Sequence, residues 1–149
     1  MKSFKNGFTM IELIFVIVIL GILAAVAIPK LSATRTDANV AKMATNLTVL
    51  ISDIGSNYTA NGILDKWTDA TNVQTKTDAT TNTADTVVVT TPVYLYSGSN
   101  QCIKFVSTLD GNLTVSAGTN TTDTVCKTVQ AMQANSLKSH IFGGTTVVY

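Results

Sequence analysis

Residues 5–29 read KNGFTMIELIFVIVILGILAAVAIP, and this stretch decides the architecture of the chain. The run from Phe8 to Ile28 carries a single charged side chain, Glu12, which is the only glutamate among the 149 residues. Roughly 20 apolar residues in a helix rise ~30 Å, the hydrocarbon thickness of a bilayer. The sequence therefore predicts a membrane-spanning helix over residues 8–28.

Charges in and around this run bear on its role and its orientation. A carboxylate in a membrane-length segment costs on the order of 3 kcal/mol on insertion scales, so Glu12 should have a positional or functional reason and a partner. Lys2 and Lys5 before the run favour a cytoplasmic start. Lys30 and Arg35 on the far side weaken that signal. We predict a single-pass segment with its N-terminus inside and its C-terminus outside.

A cleaved secretory signal is the alternative explanation of such a start. Ala25-Val26-Ala27 would serve as a small-residue cleavage site, and cleavage there would release a soluble protein. Against this, Glu12 interrupts the apolar core, and the run is longer than the usual signal core. A lipoprotein anchor is excluded because the first cysteine is Cys102.

The same residues resemble the N-terminal region of type IV pilins and of the pseudopilins of type II secretion and competence systems. The resemblance rests on Gly7, Phe8, Thr9 and Glu12 in fixed register with the apolar run, and it fades after about residue 50. It implies that residues 1–7 are a leader. A prepilin peptidase that is also an N-methyltransferase would cut between Gly7 and Phe8 and methylate the new amino terminus.

Glu12 gains a physical rationale from that processing, because cleavage creates a cationic amine on Phe8, close to the carboxylate. In a filament, the Phe8 amine of an incoming subunit would pair with Glu12 of a neighbour and set the axial register, since a buried charge is acceptable mainly when paired. Intramolecular pairing at the helix N-terminus, where the macrodipole favours a carboxylate, is the alternative. Both pairings can occur in sequence.

Two residues of the run are candidate weak points of the helix. Pro29 lacks an amide hydrogen and falls where many members of the family have a helix-bending proline, so it predicts a kink or a helix boundary. Gly21 predicts either a close approach of another helix or a place where the helix melts on packing.

After Pro29 the pattern becomes amphipathic, which predicts that residues 29–60 continue the helix and lay one face on a globular body. The helix is expected to end near Tyr58, with stop signals at Gly55 and Asn61-Gly62. The predicted core stripe consists of Val40, Ala44, Leu47, Ile51, Ile54 and Tyr58.

Residues 61–149 are predicted to form one β-sheet head, with a Thr- and Asp-rich loop over 65–91. A hairpin is expected to turn at Asp110-Gly111-Asn112, and Pro92 implies a strand edge or break. Residues 124–137 fit a short helix or a strand. The predicted strands are Thr86–Tyr96, Cys102–Leu109, Leu113–Ala117 and Thr145–Tyr149. The fold class is therefore α+β, pilin-like: a long N-terminal helix on a small antiparallel sheet.

The two cysteines of the exported head, Cys102 and Cys126, are expected to form a disulfide contributing roughly 3 kcal/mol. The pair resembles the one that clamps the C-terminal loop of many type IV pilins, although 23 residues follow Cys126 here. A free thiol pair or a metal site is the alternative, but His140 is the only histidine. We predict no metal and no cofactor. Asn112 fits an extended bacterial N-glycosylation pattern at a turn.

The inventory of side chains argues against several classes of function. One histidine, no glycine-rich phosphate loop and no paired acidic residues leave no recognisable catalytic site. Losing Lys2 and Lys5 with the leader lowers the ten basic side chains to eight, against nine acidic ones. Bulk charge therefore predicts no nucleic-acid binding.

The resemblance thus implies a structural subunit of a type IV pilus or pilus-like filament. The alternatives are a secretion or competence pseudopilin, which shares the N-terminal chemistry, and a membrane-anchored binding domain that does not polymerise. Expected partners are other copies of the chain, minor pilins, the prepilin peptidase, an inner-membrane assembly platform and membrane lipid. The subunit would first reside in a bacterial inner membrane and then in a periplasmic or extracellular filament.

Overall fold

The computed structural model describes residues 7–77 and 91–143. The chain divides into two compact units, Met1–Thr36 and Asp37–Tyr149, and the first helix contributes residues to both. The fold is α+β and consistent with a pilin fold: a long N-terminal helix, two short helices and a four-stranded antiparallel sheet. The elements in chain order are α1 Met10–Asn61, α2 Trp67–Ala70, β1 Val93–Ser97, β2 Asn100–Ser107, β3 Asn112–Ala117, α3 Thr124–Met132 and β4 Ser139–Ile141.

The first unit consists of the apolar half of α1 and the residues just before it. Every residue described from Gly7 to Arg35 is exposed. By length and composition α1 qualifies as a membrane-crossing helix, and it is the one helix in the described ranges that does. The helix continues through Gly21 and Pro29, so the boundary predicted as one alternative at Pro29 is wrong. A kink there stays a prediction.

The second half of α1 supplies one wall of the core in the second unit. Its buried residues are Val40, Met43, Leu47, Leu50 and Ile54. The predicted stripe shares three of these positions, whereas Ala44, Ile51 and Tyr58 are only half-buried. The spacing along the helix is compatible with burial of the residues on either side of the line formed by Val40, Leu47 and Ile54. The large side chains on the Met43–Leu50 flank occupy the core instead of the smaller Ala44.

The end of α1 lies at Asn61, a few residues beyond the predicted end. Gly62 has φ +75° and its N–H donates to the Tyr58 carbonyl at 2.7 Å, as expected for a glycine that terminates a helix. The Asn61-Gly62 stop signal is therefore confirmed. Gly55 does not end the helix. A Cβ there would lie 2.8 Å from the Phe142 ring, so this glycine permits a close contact.

The sheet has the strand order β1-β2-β3-β4, and every neighbouring pair is antiparallel. The predicted hairpin is confirmed as β2 and β3, with Val106 opposite Thr114. Strand β1 begins directly after Pro92 and lies at an edge of the described sheet, which agrees with the edge predicted as one alternative for that proline. Residues 86–90 of the predicted first strand lie outside the described residues.

Three predictions for the head need correction or completion. The predicted loop over 65–91 contains α2, and Lys76 forms a bridge to Tyr94 beside β1. The predicted last strand, Thr145–Tyr149, lies outside the described residues, and the fourth strand described is β4, which the sequence did not predict. It is only three residues long and mostly exposed, so it has no apolar alternation. Of the two alternatives for 124–137, the helix is confirmed as α3.

Candidate functional site

The Gly7–Phe8 peptide bond precedes the long helix. Gly7, Phe8 and Thr9 are non-helical and exposed, and α1 begins at Met10. A peptidase must bind its substrate in an extended form, with the scissile carbonyl accessible. The bond predicted to be cleaved therefore lies in an exposed segment before the first residue of α1, where it takes no part in the hydrogen bonds of the helix.

Thr9 and Glu12 form a reciprocal cap on the first turn of α1. The backbone N–H and the hydroxyl of Thr9 donate to Glu12 Oε2 at 2.8 and 2.7 Å, and the Glu12 N–H donates to Thr9 Oγ1 at 3.3 Å. This is a capping box, in which a Ser or Thr and a Glu three residues later satisfy each other's backbone N–H groups. In a membrane such satisfaction matters more, because hydrocarbon offers no water to replace it.

The capping box uses one oxygen of the carboxylate. Both bonds from Thr9 go to Oε2, and Oε1 accepts no hydrogen bond from the described residues. An ionised carboxylate has about four acceptor positions. Glu12 is therefore held in place by its own helix start while its second oxygen remains able to accept from an external cation.

Comparison with known proteins bears on this terminus. Residues 2–28 match the family model of the prokaryotic N-terminal methylation motif. The chain carries the prepilin signature of type IV pilins and pseudopilins. The signature is that of structural, pilin-type proteins, and it implies processing by a prepilin peptidase. No curated protein and no solved structure matches the chain significantly.

The matched residues of the prepilin signature end before the head, and within the head a disulfide joins two elements. Cys102 of β2 and Cys126 of α3 are joined in a disulfide and are fully buried. Hydrogen bonds reinforce the link: Gln130 Nε2 donates to the Cys102 carbonyl at 2.7 Å, and Asp123, the N-cap of α3, accepts from the Cys126 N–H at 2.9 Å. The disulfide therefore fixes α3 against the second strand of the sheet.

One group of side chains within the described ranges resembles a metal site. The ligand atoms of Cys102, Asp123 and Cys126 lie within 4.8 Å of one another. Both sulfurs are bonded to each other, however, and Asp123 caps α3. Neither sulfur is a thiolate in this state, and a cysteine binds zinc as a thiolate.

The remaining predicted site residues belong to neither of these two groups. Asn112 is half-buried as the first residue of β3, just after the turn, and its Oδ1 accepts from the Ser139 hydroxyl at 2.6 Å. The structure thus places Asn112 directly after the turn in which it was expected. Its glycosylation stays a prediction. Gly21 and Pro29 are exposed positions inside α1, and a Cβ on Gly21 would meet nothing within 4 Å.

The capping role of Thr9 is the functional feature that the sequence reading missed. The signal was present as Thr-x-x-Glu directly before an apolar run, which is typical of a helix start. The resemblance named Thr9 only as part of a register. The structure adds the bonds that make Thr9 the residue holding the carboxylate.

Proposed function

We propose that this chain is the precursor of a structural subunit of a type IV pilus or pilus-like filament. It is inserted in the inner membrane with its N-terminus inside, cleaved after Gly7, N-methylated at Phe8 and polymerised through α1. Residues 1–7 are then the leader, 8–28 the membrane and filament-core segment, 29–60 the amphipathic continuation and 61–149 the head.

The observation that carries this proposal is the state of Glu12. A lone membrane anchor gains little from a carboxylate in its apolar segment, since a capping box also forms with glutamine at no charge cost. A charge is needed if a cation must be bound. The Phe8 amine of a neighbouring subunit is such a cation, and the free Oε1 is an acceptor for it. Capping and pairing are thus compatible roles of one carboxylate.

The exposed apolar surface of the first unit supports polymerisation. Its large apolar side chains are far from buried; Phe8 is 85%, Ile11 77% and Phe15 66% exposed. Lipid would cover them before assembly, and copies of α1 would cover them in a filament. Gly21 would let two such helices approach closely, because small residues permit tight packing of membrane helices.

A pseudopilin of a secretion or competence system is the second candidate, since it shares the prepilin signature. The disulfide between Cys102 and Cys126, together with the lack of a D-x-D-x-D calcium pattern in the sequence, favours the pilus subunit. The N-terminal chemistry proposed here is common to both candidates.

Processing can be tested by intact-mass analysis of the protein purified from membranes or sheared filaments. We expect a chain that starts at Phe8 and carries one methyl group on its amine. A mature terminus at Ile28, as a secretory signal cleaved after Ala27 requires, would overturn the proposal. So would a chain that keeps residues 1–7.

Assembly can be tested by three substitutions that separate the cap from the charge. Glu12→Gln keeps a side chain that can cap Thr9 but removes the charge. Thr9→Val removes the capping hydroxyl and keeps the charge. Glu12→Ala removes both, and breaking a buried charge pair costs roughly 3–5 kcal/mol.

We expect both Glu12 variants to insert and be cleaved at Phe8, because a neutral side chain is cheaper in hydrocarbon than a carboxylate. Both should yield few sheared filaments, whereas Thr9→Val should yield many more. Normal filament yield from Glu12→Gln would show that the charge does not join subunits. A loss of filaments in Thr9→Val with normal yield from Glu12→Gln would show that assembly depends on the cap instead.

A further inference from the structure

A polar groove of about 820 Å³ lies in the head. Its walls are the second half of α1, residues 72–76, the end of β1 with the turn that follows it, and Val125 of α3. All of these belong to the unit Asp37–Tyr149. The groove is distinct from the prepilin terminus and from the disulfide, and neither the motif nor the proposed polymerisation assigns it a role.

Four carboxamide side chains line the groove without a hydrogen-bond partner among the residues that the structure describes. Asn39 and Asn46 come from α1, and Asn72 and Gln74 come from the facing segment. No other described residue hydrogen-bonds to any of these four side chains. Each amide presents an acceptor oxygen and two donor hydrogens on neighbouring atoms. Such groups can bond pairs of adjacent hydroxyls, each of which is also a donor and an acceptor.

Two lysines give the groove a positive charge. Lys42 lies on α1, and the Lys76 ammonium lies 5.7 Å from the centroid of the Tyr96 ring. The Tyr96 hydroxyl in turn accepts from Gln101 Nε2 at 3.0 Å, which fixes the ring. No carboxylate occurs among the described lining residues. The described lining of the groove therefore offers two cations, of which Lys76 lies over the Tyr96 ring, and no acid.

The groove also has a small apolar surface. Met43, Leu95 and Val125 line it, and each is at least nine-tenths buried as part of the core. Their positions are thus fixed by packing. A saccharide ring presents C–H groups on its faces and hydroxyls on its rim, and this combination matches an apolar patch bordered by amides.

We propose that this groove binds an acidic saccharide, with a uronate carboxylate on Lys42 and Lys76 and ring hydroxyls on the four amides. A nucleic acid fits less well. Single strands bind through stacking of bases on aromatic faces and a longer track of cations, and the Tyr96 ring here is already engaged by Lys76. An acidic peptide would match the lysines but would leave the amides without hydroxyl partners.

Calorimetric titration of the full chain in detergent micelles with tri-galacturonate tests the proposal. We expect a dissociation constant of about 1 mM or tighter, because open grooves gain little from apolar burial. Maltotriose, hexaglutamate and oligothymidylate are the comparison probes. Maltotriose has hydroxyls but no charge, and hexaglutamate has carboxylates but no hydroxyls. Oligothymidylate represents a single-stranded nucleic acid.

Two groove variants and one matched control locate the site. Lys76→Gln and Asn72→Ala should each weaken tri-galacturonate binding about tenfold, since a charge-assisted hydrogen bond or a well-formed amide pair contributes on that scale. Lys127→Gln removes an exposed lysine of α3 outside the groove and should leave binding unchanged. Unaltered thermal unfolding of each variant shows that the head remains folded.

Binding of tri-galacturonate that both groove variants weaken, and the control does not, supports the proposal. The absence of binding at about 10 mM ligand would overturn it. Equal affinity for hexaglutamate or oligothymidylate would also overturn it, since recognition would then depend on charge alone or on a nucleic acid. An equal loss in Lys127→Gln would place binding elsewhere. Because the assay uses unassembled chains, its outcome is independent of filament formation.

Discussion

Replacement of Gly111 by alanine should destabilise the head through two separate effects. Gly111 lies at the turn between β2 and β3 with φ +74°, a left-handed conformation that glycine adopts readily. A Cβ added at this position would lie 2.6 Å from Cζ of Tyr58, a side chain from the end of α1. The turn and the helix therefore contact each other at a place where no larger residue fits.

The magnitude follows from adding the two effects. The left-handed conformation costs a residue with a Cβ roughly 1–2 kcal/mol. Forcing an extra methyl group against a packed ring costs roughly 1–3 kcal/mol. The expected loss in the free energy of unfolding for Gly111→Ala is thus about 2–5 kcal/mol.

Gly98→Ala is the matched control, because Gly98 has φ +61° at another turn of the same sheet but nothing within 4 Å of its Cβ position. It should lose only the conformational part, about 1–2 kcal/mol. A second comparison uses Tyr58→Leu, which removes the ring. In that background Gly111→Ala should cost no more than Gly98→Ala does.

Unfolding can be followed through the fluorescence of Trp67, the single tryptophan, which is 1% exposed in the head core. Urea titrations of the full chain in detergent give the free energies for the four single and double variants, and the cycle isolates the contact between the two residues. If Gly111→Ala and Gly98→Ala cost the same, or if Tyr58→Leu does not relieve Gly111→Ala, the proposed contact with the ring is wrong.

Two further predictions concern the link between α3 and the sheet. The Cys102→Ser/Cys126→Ser double variant should lose roughly 3 kcal/mol of unfolding free energy, because the disulfide no longer restricts the unfolded chain. Urea unfolding with and without reductant measures this loss. A wild-type urea midpoint that reductant does not change would contradict the prediction. Asp123→Ala should cost about 1 kcal/mol by removing the N-cap of α3, whereas Asp123→Asn should be nearly neutral. A urea midpoint of Asp123→Ala equal to that of the wild type would show that the cap contributes nothing.

Patterns of local origin were predictable from the sequence. The apolar run from Phe8 to Ile28, the hairpin around Gly111 and the stop at Gly62 each depend on residues adjacent in the chain. A continuous apolar segment in hydrocarbon satisfies its backbone hydrogen bonds by forming a helix. A turn position with a left-handed backbone conformation favours glycine over other residues. Such features need no knowledge of distant contacts.

Features that depend on distant contacts were missed or misjudged. Met43 and Leu50 replaced part of the predicted stripe because the identity of the buried flank is set by what packs against it. Strand β4 is too short and too polar to be recognised, and it exists because β3 offers it an edge. Asn112 was expected in a turn, but pairing with β4 extends β3 to include it.

The sequence by itself determined the membrane-length helix, the prepilin terminus and the α+β class, because these follow from hydropathy and local backbone preference. The capping box of Thr9 and Glu12 is local as well, since the two residues are three apart and belong to one helix start. Only the tertiary structure decided that four amides and two lysines border one groove in the head. Spacing along the chain does not fix which atoms face each other. Which atoms face each other is decided by the packing of α1, residues 72–76 and β1, and that packing depends on the whole core.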